Sequence, residues 1–246
     1  MPFSVGVLAR FEADLQGTRM DQDTGAVERA YRKLKEMAAS FEFKPDERLN
    51  EGAISAQLSI SRTPLREALN RLTAEGFLTF KRGHGFHCRS LNPPEIMDLY
   101  EARAAIESQA ARLAARRADP TALAEVQAFL EQSEAGYTPG ASPVELVRLD
   151  EAFHRHIALL SRNGELVRLL DNAAARIHYI RVIDLQLLSE RDGTPAITTQ
   201  PHARILAAVA AGDEDGAARE MDCHISRRLE EVTLNVRLAF SRIYAP

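Results

Sequence analysis

The fold of this chain is decided by one stretch of sequence, Ser61-Arg62-Thr63-Pro64-Leu65-Arg66-Glu67-Ala68-Leu69-Asn70. Ser61 is a good N-cap residue, and Pro64 falls in the first helical turn, where its missing N–H has no intrahelical partner to lose. Apolar residues then recur at i, i+3, i+4 and i+7, namely Leu65, Ala68, Leu69 and Leu72. This spacing predicts a helix with one face packed against a core.

The polar residues of the same helix lie on a different face. Arg62, Arg66 and Asn70 are four residues apart, so they form a row that begins at the helix N-terminus. Helix-turn-helix proteins touch base edges and phosphates with this part of their second helix. Arginine can bind guanine or phosphate through a bidentate fork, and asparagine can pair with adenine. The alternative is an ordinary solvated helix face.

The flanking sequence completes a winged helix-turn-helix unit. An apolar stripe at helical spacing covers 27–41, and a second short helix follows Leu49. Gly76 suits the left-handed position that ends the candidate reading helix. Residues 78–80 and 86–88 then favour a β-hairpin, a wing whose tip could enter the minor groove.

Together these features resemble the GntR family of bacterial transcription regulators. The family pattern consists of a Pro turn, L-x-E, S-R-x-P-[VL]-R-E-A-L-x-x-L, E-G and a Gly-containing wing. It is met by Pro45, 49–51, 61–72, 75–76 and 83–85.

The resemblance implies contacts with a double-stranded DNA operator from the reading helix and from the wing tip. With the polar face described above, the predicted DNA-binding residues are Ser61, Arg62, Thr63, Arg66, Asn70, His84 and Gly85. Two positions depart from the family pattern. Gly52 stands where family members usually carry an operator-reading arginine, and Ser59 stands at the usual glycine of the turn, so one expected base contact is absent.

Charge is unevenly distributed along the chain. The formal net charge is −4 over 246 residues, which argues against a protein that coats nucleic acid generally. Residues 27–88 nevertheless carry 11 Lys and Arg against 8 Asp and Glu, whereas residues 89–246 carry 18 against 23. The positive part coincides with the predicted DNA-binding unit, as attraction to phosphates requires.

The sequence gives no sign of a membrane or secretory protein. No stretch of about 18 apolar residues is present, and the short apolar run near the N-terminus lacks a basic region before it. Cys88 and Cys223 fall in different predicted domains and imply no disulfide framework. We therefore expect a cytoplasmic protein.

The predicted organisation is an extension over 1–26, a winged helix-turn-helix domain over 27–89, a linker over 90–94 and an all-helical domain over 95–246. Two prolines make the linker stiff. Beyond it, helices are predicted at about 94–117, 120–135, 143–161, 164–189, 198–211 and 213–241. The predicted fold is mainly α: a winged helix-turn-helix with a small β-hairpin, followed by an antiparallel helical bundle.

Histidines in the predicted bundle suggest a metal site. Asp150 and His154 are four residues apart, so they share a helix face, while His202 begins a later helix and His224 lies in the last one. Three imidazoles and a carboxylate could bind Zn, Ni, Mn or Fe as divalent ions. From spacing alone the signal is weak, because solvated histidines are common.

The C-terminal part resembles the all-helical effector domain, called FCD, of the FadR-type GntR regulators, and the VanR-like group in particular. The matching motifs are Arg103 with Glu107, D-x-x-F-H at 150–154 and H-x-x-I-x-x-A-[IV]-x-x-G-D at 202–213. The resemblance implies that Asp150, His154, His202 and His224 ligate a divalent cation. Arg103 then has two open roles, binding an effector carboxylate or a salt bridge to Glu107.

The expected mechanism is ligand-gated repression, and activation is the alternative that the sequence leaves open. A homodimer would place two reading helices on a palindromic operator, and a small organic acid in the helical domain would change the DNA affinity. One alternative is a metal-dependent enzyme acting on a small carboxylate, although no catalytic motif such as H-E-x-x-H is present. The other is a regulator with a purely structural metal.

Overall fold

The computed structural model describes residues 25–40, 42–138, 141–192 and 198–226, and nearly all of the predicted extension lies outside these ranges. The N-terminal part contains three helices and two strands: α1 (Gly25–Ala39), α2 (Glu51–Leu58), α3 (Arg62–Ala74), β1 (Leu78–Lys81) and β2 (Gly85–Cys88). This is the order of a winged helix-turn-helix, with α3 as the candidate reading helix.

Helix α3 follows the apolar spacing that predicted it. Its buried residues are Leu65, Ala68, Leu69 and Leu72. Gly76 follows the helix with φ of 80°, which glycine adopts without strain. Ser61 occupies the N-cap position, but its side chain makes no capping hydrogen bond. The predicted cap is missing because Pro64, at the third helical position, has no N–H to donate.

The wing is a two-stranded antiparallel hairpin. Leu78 pairs with Cys88 and Lys81 pairs with Gly85, so the turn between the strands carries the exposed His84. A short extended segment before α2 also lies along the wing, because Arg48 forms an antiparallel bridge with the middle of β2. The wing is therefore tied to the segment that leads into the helix-turn-helix.

The C-terminal part is built from helices. They are α4 (Pro93–Arg117), α5 (Pro120–Ser133), a 3-10 turn (Glu134–Gly136), α6 (Pro143–Leu160), α7 (Gly164–Asp192) and α8 (Gln200–Ala210). A last helix, α9, is described over 214–226, and its predicted continuation to 241 lies outside the described residues. The mainly helical fold class is confirmed. Among the described helices, none is long and apolar enough to cross a bilayer.

The connection between the two parts is shorter than the predicted linker. Pro93 and Pro94 form the first turn of α4, where proline is tolerated because the first N–H groups of a helix have no intrahelical partner. Leu91 is buried and belongs to the bundle core. The connection therefore packs against the bundle at Leu91.

Helix α7 joins the bundle to the end of the reading helix. Asn172 Nδ2 donates a hydrogen bond of 3.0 Å to the backbone oxygen of Glu75, the residue that follows α3. The Arg176 guanidinium lies close enough to Gly76 that a Cβ there would meet its central carbon at 3.0 Å. Ala175 packs against the winged-helix core. The position of α3 is thus coupled to that of α7.

Candidate metal centre and DNA-binding surface

The four predicted metal ligands converge inside the bundle, and we call them the ligand cluster. Asp150 and His154 are one turn apart on α6, His202 lies in the first turn of α8, and His224 lies on α9. One potential ligand atom from each residue lies within 4.8 Å of those of the others. Three of the four side chains are buried, and His224 is partly exposed.

Distances within the ligand cluster suit a divalent cation. His154 Nε2 lies 3.2 Å from His224 Nε2 and 3.6 Å from Asp150 Oδ2. His202 Nε2 lies 3.2 Å from Asp150 Oδ1, which is buried without a hydrogen-bond donor among the described residues. Two atoms that each lie about 2.1 Å from one ion can be at most about 4.2 Å apart, and these separations of 3.2, 3.6 and 3.2 Å lie within that limit. The residues present therefore fit a metal with nitrogen and oxygen ligands.

A buried carboxylate orients one of the imidazoles. Burial raises the pKa of Glu107, but the charge of Arg103 and the hydrogen bonds from His154 and Arg103 outweigh this effect and hold the pKa below its usual range. The ionised Glu107 can only accept hydrogen bonds, and it does so from His154 Nδ1 and from Arg103 Nε. With its proton on Nδ1, His154 directs the lone pair of Nε2 toward the ligand cluster.

Arg181 belongs to the site, and sequence reasoning missed it. It donates hydrogen bonds to Asp150 Oδ2 and, at 3.3 Å, to Glu151 Oε1. Burial raises the pKa of Asp150, but the charge of Arg181 and the neighbouring imidazoles hold it well below its usual range. Asp150 is thus ionised, as a metal ligand must be. The sequence does carry one indication of Arg181, because it is a charged residue within the largely apolar segment 180–185.

A small cavity of about 20 Å³ lies beside the ligand cluster. Arg103 and Arg181 line it together with Tyr100 and Asp184. Such a volume suffices for a single ion or water molecule. Arg103 therefore makes the salt bridge to Glu107 that was one of its two predicted roles, and it also lines the cavity. Its binding of an effector stays a prediction.

Four of the seven predicted DNA-binding residues line one cleft of the winged helix. A cleft of about 770 Å³ between α2, α3 and the wing brings Arg62, Thr63, Arg66 and Gly85 together. Ser61, Asn70 and His84 are exposed but do not line this cleft. Arg66 Nε lies 3.3 Å from Glu51 Oε2, and both residues line the cleft.

Such a winged helix-turn-helix, joined to a bundle with a buried polar site, defines a DNA-binding regulator with a separate effector domain. Residues 26–88 match the model for bacterial regulatory proteins of the gntR family, and residues 98–227 match the FCD domain. The chain belongs to the GntR family and carries an FCD domain, as the motifs predicted.

Known relatives agree with this assignment. The chain is 41% identical over 209 residues to the Nta operon transcriptional regulator of Aminobacter aminovorans, covering 85% of this chain and 95% of that protein. It is 29% identical to the transcriptional repressor GlaR of Escherichia coli, and the match covers 79% of this chain and 90% of GlaR. These families and relatives are transcriptional regulators and not enzymes. The prediction of a regulator is therefore confirmed, against the alternative of a metal-dependent enzyme.

Solved structures show the same fold. E. coli McbR/YncC has a TM-score of 0.62 at 22% identity, covering 89% of this chain and 97% of that one. A putative GntR regulator from Rhodococcus sp. RHA1 has a TM-score of 0.60 at 20% identity, covering 84% and 96%.

Proposed function

We propose that this protein is a dimeric transcriptional repressor whose bundle binds a divalent cation and a small organic acid that controls operator binding. The observation that carries the proposal is the convergence of a carboxylate and three imidazoles at one buried point, formed by Asp150, His154, His202 and His224. Buried charges are costly unless they are paired or bind a metal. A zinc, nickel, manganese or iron ion would account for this arrangement.

A bound cation would favour an anionic effector, because the two arginines that line the cavity are matched by the carboxylates of Asp150 and Asp184. A bound cation would supply positive charge and an open coordination position to a carboxylate oxygen. Arg103 and Arg181 line the same cavity, and guanidinium groups bind carboxylates through two parallel N–H donors. Arg103 is therefore the proposed effector-binding residue, and Arg181 is a second candidate.

Repression is the proposed direction of control, and the names of relatives support it. GlaR is named a transcriptional repressor, and a 29% identical protein of Paenarthrobacter nicotinovorans is named a probable D-xylose utilization operon transcriptional repressor. The operator contacts would take place in the cytoplasm, where bacterial DNA lies. Two subunits would place two reading helices about 34–36 Å apart, one turn of DNA, on a palindromic site.

Helix α7 offers a route from the cavity to the DNA-binding surface. The cavity of about 20 Å³ is too small for an organic acid, so its entry would displace side chains such as Arg181. Arg181 lies on the same helix as Asn172, which binds the end of α3. The acid can change the DNA affinity only if it binds more tightly to one arrangement of the helices than to another, and only by that difference in affinity.

The test begins with selection of an operator from random duplexes, followed by titration of small organic acids into the metal-loaded protein on that operator. An inducing acid is expected to weaken operator binding by about 5- to 150-fold, the usual range of coupling between two sites. In Asn172→Ala the acid is expected to bind as before but to shift operator affinity less. If no carboxylate binds the metal-loaded protein, the effector proposal is wrong.

A purely structural metal gives a different result in the same experiment. Chelation would then lower the melting temperature, while any acid that alters operator binding would do so equally with and without metal. Loss of the acid response on chelation, restored by adding the metal back, is the outcome that supports a metal in the effector site.

Glu107→Gln is expected to weaken divalent metal binding by about 10- to 100-fold, because partners that orient a ligating histidine contribute about this much. Glutamine keeps the size of the side chain but lacks the charge that fixes the proton on His154 Nδ1. Competition against a chromophoric chelator measures the affinity, with the exposed Glu165→Gln as control. Equal affinity of Glu107→Gln and the native chain would show that Glu107 does not tune the site.

A further inference from the structure

Arg48 occupies a fixed position between the reading helix and the wing. The Leu49 N–H donates to Phe86 O at 2.8 Å, and the Cys88 N–H donates to Glu47 O at 2.9 Å, so the backbone on both sides of Arg48 is bonded to β2. Arg48 therefore projects from a segment that is hydrogen-bonded to the wing on both sides of it. It is a residue to which the sequence motifs gave no role.

The side chain of Arg48 is exposed and lines the same cleft as Arg62 and Arg66. Within the described part of the chain, no carboxylate lies within 4.0 Å of its guanidinium, whereas Arg66 is 3.3 Å from Glu51. Gly52 leaves the floor of the cleft open, since a Cβ there would meet only Asn50 Oδ1, at 3.4 Å. Among the described residues, Arg48 therefore has no ion-pair partner, and the space beside Gly52 in the same cleft is open.

We infer that Arg48 binds a DNA phosphate on the backbone that separates the two grooves. The inference rests on the proposed docking, in which α3 enters the major groove and the wing reaches the adjacent minor groove. A sugar–phosphate strand runs between those grooves, and Arg48 lies between the two elements that enter them. A guanidinium can hold a phosphate through two parallel hydrogen bonds.

Within the cleft, a phosphate would be attracted more strongly to Arg48 than to the Glu51–Arg66 ion pair. Glu51 is the carboxylate that lines the cleft, and it would repel a phosphate, but it is already bonded to Arg66 on the α3 side. In the ranges that the structure describes, no carboxylate forms an ion pair with Arg48. A contact of this kind holds the protein in register and carries no base preference of its own.

Arg48→Ala tests the inference at a series of salt concentrations, on the selected operator and on an unrelated duplex. Affinity for both duplexes is expected to fall by a similar factor, about tenfold, and the slope of log affinity against log salt is expected to fall by about 0.9. The base preference in selection is expected to stay unchanged. Arg48→Lys should keep the salt slope, because its charge remains.

Arg219→Ala is the matched control, because it removes one exposed arginine from α9 in the bundle. It is expected to leave the affinity and the salt slope near native values. Native affinity in Arg48→Ala would overturn the phosphate contact, and so would a relaxed preference at a single base pair. Neither result would contradict the proposed function as a DNA-binding regulator. A native chain that selects no duplex overturns the proposed docking, and the Arg48 contact falls with it.

Discussion

Arg62→Ala/Arg66→Ala is expected to abolish selection of a palindromic operator and to weaken DNA binding by at least about 100-fold. Each well-placed bidentate contact to a base contributes about 1–3 kcal/mol of discrimination, and about 1.4 kcal/mol corresponds to a factor of ten. Arg66→Ala alone should cost more than Arg62→Ala, because it leaves the carboxylate of Glu51, now 3.3 Å from Arg66, free to repel the DNA.

The measurement is selection from random duplexes at fixed salt, followed by affinity for the selected site. Both arginines are exposed, so the melting temperature of the double variant should stay close to the native value. Arg112→Ala/Arg116→Ala removes the same charge from α4, where both residues form exposed ion pairs with Asp215 and Glu214. That control should select the native palindrome. If the Arg62/Arg66 variant also enriches it, the assignment of α3 as the reading helix is wrong.

The local features of the fold were accessible from the sequence because neighbouring residues determine them. The four apolar residues of α3 are buried as their spacing predicted, since a helix repeats every 3.6 residues. Gly76 ends the same helix in the left-handed conformation that favours glycine. Ser61 occupies the N-cap position as predicted, but its side chain makes no capping hydrogen bond, because Pro64 lacks the N–H that usually donates it.

The contacts around the ligand cluster were less accessible, because they join residues that are far apart in the chain. Arg181 binds Asp150 across 31 residues, and Glu107 binds His154 across 47. Their pairing depends on how α4, α6 and α7 pack, which spacing within one helix does not encode. Arg48 was missed for the same reason, since its place in the DNA-binding cleft depends on a bridge to the wing.

His202→Ala is expected to lower the affinity for a divalent cation by at least about 100-fold, because loss of a direct ligand should exceed the 10- to 100-fold effect of an orienting partner. His202 is fully buried and its Nε2 lies 3.2 Å from Asp150 Oδ1. In the native protein a cation at about 100 times its Kd stabilises the fold by about 2.7 kcal/mol. The variant should lose this stabilisation, so chelation should leave its melting temperature unchanged.

The control for His202→Ala is His178→Ala, which removes a partly exposed bundle imidazole whose Nδ1 lies 3.1 Å from both carboxylate oxygens of Glu151. It should keep a native metal content and a native response to chelation. Removing His202 also leaves a void beside Phe153, whose ring stacks on it at 4.2 Å, so the metal-free variant should melt below the metal-free native protein. The decisive quantity is therefore the change in melting temperature of each protein when metal is added. An unchanged metal-induced shift in His202→Ala would place the cation elsewhere.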